Sequence, residues 1–126
     1  MAGRYSYEKL EVYQRSYQLA VEIHKLSLKL PRTLQFDLAD QIRRASRSIP
    51  SNIAEGLGRN RSRKDKINFL INALGSNDEM LFNLQFMKDT QLMSGALFQK
   101  LHEKYIICGK QLSQLIKVLK EQSTNH

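Results

Sequence analysis

A chain of 126 residues has the length of one domain: room for a sizeable core, too little for two independent ones. With 41% hydrophobic residues, six Gly and two Pro, its composition suits a globular helical protein and excludes a linker-rich or disordered one. The formal net charge of +8 calls for an anionic partner, and its placement narrows the choice.

Four segments show helical periodicity. The first spans about 7–30, with Val12, Leu19, Ile23, Leu26 and Leu30 on one stripe and Leu10, Tyr13, Tyr17 and Ala20 beside it, and it ends at Pro31. The second spans about 34–57, with Leu38, Ile42, Ala45, Ile49, Ile53 and Gly56 in phase, and Gly56 and Gly58 are expected to stop it. The third opens at Ser62, where SRKD has capping-box spacing, and continues through Ile67, Leu70, Leu74, Leu81 and Leu84 to about 90. Ser94 is expected to cap the fourth, which carries Leu97, Leu101, Tyr105, Cys108, Leu112, Leu115 and Leu119 and frays near 121.

Long helices joined by short loops pack as antiparallel neighbours. The expected fold is therefore all-α, an up-down-up-down four-helix bundle in a single domain over 1–126, with polar frayed ends at about 1–6 and 121–126. Ile71, Phe82 and Phe86 lie well round the third helix from Leu70 and Leu84, which implies a second buried face. A homo-oligomer is expected from it, the alternative being that these residues cover a bundle edge.

Pro50 interrupts the second helix. An interior proline costs on the order of 3 kcal/mol, because it lacks the amide hydrogen and crowds the carbonyl of Ser46. The apolar phase Ala45, Ile49, Ile53, Gly56 crosses it unbroken, so a continuous helix kinked at Pro50 is expected, with Ser46, Ser48 and Ser51 at hand for the freed carbonyl. Asn52 and Glu55 flank the buried stripe. Their expected partners are Ser76, Asn77 and Glu79 of the third helix, where Gly75 allows close approach, and a satisfied polar network is favoured over catalysis.

Residues 43 to 66 hold Arg43, Arg44, Arg47, Arg59, Arg61, Arg63, Lys64 and Lys66 against only Glu55 and Asp65, six of the eight excess charges. Nucleic acid is the first partner this concentration suggests, ahead of an acidic protein or a membrane surface. Aromatics are sparse in the cluster, so contact is expected through phosphate, salt-sensitive and weakly sequence-specific, with RNA and DNA not separated.

The wording of the second and third helices adds a resemblance. SIPSNIAEGLGR, preceded by QIRRASR and followed by FLINALGSNDEM, resembles the four-helix-bundle family encoded by intervening sequences in bacterial 23S rRNA genes, also described as a ribosomal protein family. The likeness begins at YEKLEVYQRSYQLA and spans nearly the whole chain. It implies rings, typically pentamers, and a remote structural kinship with the accessory variability determinants of diversity-generating retroelements, which bind nucleic acid and a reverse transcriptase. It also implies that Asn52, Glu55 and Gly56 belong to a structural signature and that the basic surface faces nucleic acid.

Enzymatic chemistry finds no footing. His24, His102 and His126 lack metal-ligand partners at helical spacing, GLGRNR lacks the third glycine of a dinucleotide loop and the ending of a phosphate loop, and Asp78 and Glu79 point about 100° apart. Neither a metal nor a cofactor is expected, and no nucleophile, base and orienting group can be assembled. The lone Cys108, the absence of a signal-like N-terminus and the lack of a long apolar run suggest a reducing, cytoplasmic setting without a membrane span.

Overall fold

The computed structural model describes residues 7–124, and the side chains up to residue 122. Its helices are α1 (Glu11–Ser27), α2 (Leu38–Leu57), α3 (Arg63–Asp89) and α4 (Gly95–Thr124), with a 3₁₀ turn at Arg32–Leu34 and no strand among the described residues. Helix α4 continues past the expected fraying point, and the ends expected to fray at 1–6 and 125–126 lie outside the described residues.

The expected four helices are present, but the first two are shorter at their shared junction. Leu30 precedes Pro31, a position that disfavours the α region, and α1 closes at Ser27 with tight bonds from Lys29 N to Leu26 O and from Leu30 N to Ser27 O. Beyond the 3₁₀ turn, Asp37 breaks the path with φ −128° and ψ −104° before α2 begins at Leu38.

Helix α2 runs on through Pro50, which is buried, and carries Ile42, Ile49 and Ile53 fully into the core. The neighbouring hydroxyls do not serve the carbonyl that Pro50 frees: Ser46 Oγ donates to Arg43 O at 3.1 Å, and Ser48 Oγ engages Asn52 and Ser76. Gly56 does not stop the helix. No described glycine has positive φ, and α2 ends one residue later, at Leu57, with Gly58 N bonded to Ala54 O. What Gly56 provides is closeness: a Cβ there would stand 2.8 Å from Phe69 Cβ, so α2 and α3 meet backbone to backbone.

Both sequence-read caps on the later helices form. Ser62 Oγ accepts from Asp65 N at 3.1 Å, and Ser94 Oγ accepts from Leu97 N at 3.1 Å. Helix α3 ends in a Schellman motif, with Gln91 N bonded to Lys88 O and Leu92 N to Met87 O. Gln91 holds φ 64° there, the left-handed position usually given to glycine.

Contacts run in opposite directions along each neighbouring pair, which makes the bundle antiparallel. Between α2 and α3, Ser48 meets Ser76 and Gly56 meets Phe69. Between α3 and α4, Asn77 reaches Tyr105 while Lys88 lies over Phe98. Arg43 bonds Ser27 across α1 and α2, and Gln111 bonds Glu11 across α4 and α1. Leu70, Met80, Leu84, Met87, Leu101, Tyr105 and Leu112 complete the core between them, all fully buried.

Candidate nucleic-acid interface

The eight cations singled out in the sequence occupy two places. Arg43, Arg44 and Arg47 lie in the first half of α2, whereas Arg59 to Lys66 surround the α2–α3 turn, about 24 Å further along at 1.5 Å per residue from Arg43 to Arg59.

In the first group, Arg43 is half-buried and structural. Its guanidinium donates to Ser27 Oγ at 2.9 Å, Gln35 Oε1 at 3.2 Å and Gln35 O at 3.0 Å, while Gln35 Nε2 donates to the carbonyls of Ser27 and Leu30. This network closes the α1–α2 connection and leaves Arg43 little freedom to meet a ligand. Arg44 is exposed in an i,i+4 pair with Asp40 at 3.2 Å, an arrangement that water and salt weaken. Arg47 is exposed, donates to Arg43 O and leans over the groove between α1 and α2.

The turn is built around Arg61. Its Nε donates to Glu55 O at 2.6 Å, its Nη2 to Glu55 Oε2 at 2.9 Å, and its guanidinium carbon stands 4.6 Å from the centre of the Phe69 ring. One side chain thus caps the last turn of α2 and stacks on α3. Arg59 and Lys64 are exposed and Lys66 half-buried, and among the described residues the side chains of these three make no hydrogen bond or ion pair. Arg63 is half-buried in the first turn of α3. Three cations with unengaged side chains therefore stand at the turn and in the first turn of α3, near the positive end of a helix dipole.

The expected network of Asn52, Glu55, Ser76, Asn77 and Glu79 does not form as one unit. Asn52 Nδ2 donates to Ser48 O and Ser48 Oγ, and Ser76 Oγ bonds Ser48 Oγ at 2.8 Å, so Asn52 and Ser76 are linked through Ser48. Glu55 is exposed and pairs with Arg61, and Glu79 is exposed. Asn77 is fully buried and faces α4, where its Nδ2 donates to Tyr105 O at 2.9 Å. Gly75 does not provide the close approach either, since a Cβ there would meet nothing within 4 Å; Gly109 does, with Asn77 Nδ2 at 3.0 Å from its would-be Cβ.

Sequence reading missed the aromatic side of this surface. Tyr7, just before α1, forms a ladder with Tyr13 and Tyr17 of α1, with ring centres 4.9 Å and 6.2 Å apart, and Tyr13 and Tyr17 border the groove that Arg47 overhangs. Burial raises the Tyr13 phenol above its ordinary value, with smaller contributions from its tyrosine and Glu8 neighbours. The i,i+4 spacing of Tyr13 and Tyr17 was the available signal. Elsewhere, His24 lines the groove and His102 lies against Phe98, while His126 is outside the described residues.

Residues 8–114, which contain the whole of α1 to α3, the turn and most of α4, match the 23S rRNA-intervening sequence protein family. The chain belongs to that family. A solved structure of a family S23 ribosomal protein of unknown function, from Bacteroides thetaiotaomicron VPI-5482, is similar at 29% identity with a TM-score of 0.77, covering 84% of this chain and 95% of that one. No curated protein matches. Membership agrees with the resemblance carried by SIPSNIAEGLGR, the stretch that supplies the last turns of α2, its close approach to α3 and the Glu55 anchor for Arg61. No helix among the described residues is long and apolar enough to cross a membrane.

Proposed function

We propose that this chain is a non-enzymatic, self-associating protein that binds nucleic acid through phosphate contacts at the α2–α3 turn. The observation that carries the reading is the set Arg59, Lys64 and Lys66: three cations whose side chains have no internal partner among the described residues, at a turn that Arg61 ties to Glu55 and Phe69. Cations without partners concentrate positive potential, and nucleic-acid phosphate is an anion that repeats along a chain. RNA and DNA phosphates serve this surface alike, and little sequence preference is expected. The family's description as 23S rRNA-intervening sequence protein fits an RNA setting, and the reading extends to an accessory role in an RNA or reverse-transcriptase complex. Self-association through the exposed Ile71, Phe82 and Phe86 multiplies the patch, so that weak individual contacts act together.

The test is the salt dependence of binding by an Arg59→Gln, Lys64→Gln, Lys66→Gln variant. Arg61 is left intact because it holds the turn. If all three cations touch phosphate, the slope of log K against log salt becomes shallower by about 2.7 per protomer on duplex DNA and about 2.1 on a single strand. The loss should be similar for unrelated sequences. An unchanged affinity and slope would overturn the reading, and binding of an acidic protein in place of nucleic acid would replace it with a scaffold.

A further inference from the structure

Between α3 and α4 runs a groove of about 540 Å³. Gly109 keeps its floor low, since a Cβ there would already stand 3.0 Å from Asn77 Nδ2 and 4.0 Å from Leu74 Cδ1. Leu74 and Leu81 of α3 and Ile106 of α4 give it apolar walls.

The two sides of the groove carry opposite charge. On the α4 side, Lys110, Ser113, Gln114 and Lys117 follow one another at i, i+3, i+4 and i+7, which sets two cations, a hydroxyl and an amide in one row, the cations about 10 Å apart along the axis. On the α3 side stands the Asp78 carboxylate, and Asn77 beside it lines the groove fully buried, with its Oδ1 unpartnered. Among the described residues, the exposed side chains of Asp78, Lys110, Ser113, Gln114 and Lys117 make no hydrogen bond or ion pair with the rest of the chain. Lys120 and Glu121, which border the cleft continuing past Ser113 and Lys117, are already engaged. A carboxylate and two lysines that share a groove without pairing leave a negative wall facing a positive one. A ligand that matches both has N–H donors on one edge, an anion on the other and a flat apolar body between the leucines and Ile106.

We propose that the α3–α4 groove binds guanosine phosphate, with Asp78 accepting from the base and Lys110 and Lys117 holding the phosphate. Guanine is the base whose Watson–Crick edge sets two N–H donors side by side, at N1 and N2, to match both oxygens of one carboxylate. Cytosine and adenine offer one amino group beside a ring acceptor, and the single N–H of uracil lies between two carbonyls that a carboxylate repels. Ser113 and Gln114, between the two lysines, supply hydrogen-bonding groups for the ribose hydroxyls. A free nucleotide and a guanosine within a strand present the same chemistry. The proposal stands on this groove and does not rest on the phosphate contacts at the α2–α3 turn.

Equilibrium dialysis of the nuclease-treated full chain against GMP, AMP, CMP and UMP tests it. GMP should bind about tenfold or more tightly than the other three, the discrimination that a two-bond base contact supplies. Asp78→Asn should level the four nucleotides, Lys110→Gln with Lys117→Gln should weaken all four alike, and guanosine should bind less well than GMP. All three substituted side chains are exposed, and circular dichroism verifies that the variants fold. Oligouridine carrying one guanosine identifies the source. Tighter binding than plain oligouridine, lost in Asp78→Asn, places the guanosine in a strand, and GMP binding without that gain makes the ligand a free nucleotide. Equal binding of the four nucleotides, an Asp78→Asn variant that keeps the guanine preference, or no binding at millimolar GMP would overturn the proposal, including the case in which a second copy of the chain covers the groove. None of these outcomes bears on the salt slope of the turn, so the two readings fail separately.

Discussion

Gly56 is the point at which a single methyl group tests the α2–α3 packing. An alanine Cβ there would stand 2.8 Å from Phe69 Cβ and 3.5 Å from both Phe69 Cγ and Lys66 O. Carbon atoms rest at about 3.5–4.0 Å, so relief requires roughly 1 Å of separation, and the opposing atom is attached directly to the α3 backbone, where no rotamer change moves it. Overpacking of this kind costs about 1–3 kcal/mol, against a gain of about 1 kcal/mol from replacing glycine inside a helix. The net expectation for Gly56→Ala is a loss of about 1 kcal/mol. Gly75→Ala is the control, since its Cβ meets nothing within 4 Å and only the gain of about 1 kcal/mol remains. Both are best built on the Phe82→Glu chain, so that the self-association proposed for the exposed α3 stripe cannot enter the measurement. At roughly 4 °C per kcal/mol for a chain of this size, thermal unfolding followed by circular dichroism should separate the two alanine variants by about 8 °C. A Gly56→Ala chain as stable as Gly75→Ala would refute the backbone-to-backbone contact.

Gln91→Gly should stabilise the chain by about 0.5–1 kcal/mol, because glycine removes the left-handed strain at φ 64° while the Schellman bonds stay; a urea midpoint that falls would contradict this. Tyr105→Phe should leave stability at pH 7 unchanged or raise it by about 1 kcal/mol, since the buried Tyr105 hydroxyl has no partner. The same variant should flatten the alkaline loss of stability. Burial holds the Tyr105 phenol above 10.0 in the folded chain, so its contribution is complete below that pH and lost as the unfolded state ionises above it. Cys108, pushed up from 9.0 to about 11 mainly by burial, keeps its own share of that loss across the window from 9.0 to 11, and a Tyr105→Phe stability profile as steep as the unaltered one above pH 10 would refute the assignment.

The parts of the fold written in local chemistry were legible. Ser62 and Ser94 were read as caps from one residue and its spacing, and both make the expected bond. Charge was countable but its use was not. Whether an arginine is available depends on what the chain folds beside it, and Glu55 and Phe69 take Arg61 while Ser27 and Gln35 take Arg43. The apolar surplus of α3 was legible because Ile71, Phe82 and Phe86 are out of phase with the core, and the structure leaves all three exposed.

Asn77 was misassigned for a reason that the sequence could have corrected. Following the leucines led to a stripe through Leu74 and Leu81, yet both are only half-buried. The fully packed line is Leu70, Ala73, Asn77, Met80, Leu84, Met87, spaced alternately by three and four, the seam of a heptad. Asn77 occupies a core position in that seam, with its Oδ1 buried and unpartnered and its Nδ2 reaching Tyr105 O. That reach exists because Gly109 opposite has no side chain to fill the space. A slide of α4 by one turn would bring a side chain against the amide and leave both ends of it unbonded. A single polar residue in a heptad seam fixes register in this way at some loss of stability. Once α3 is locked by Asn77 toward α4, positions 71, 82 and 86 are carried to the far side of the same helix. The buried amide that weakens the core is thus the group that holds Ile71, Phe82 and Phe86 outward.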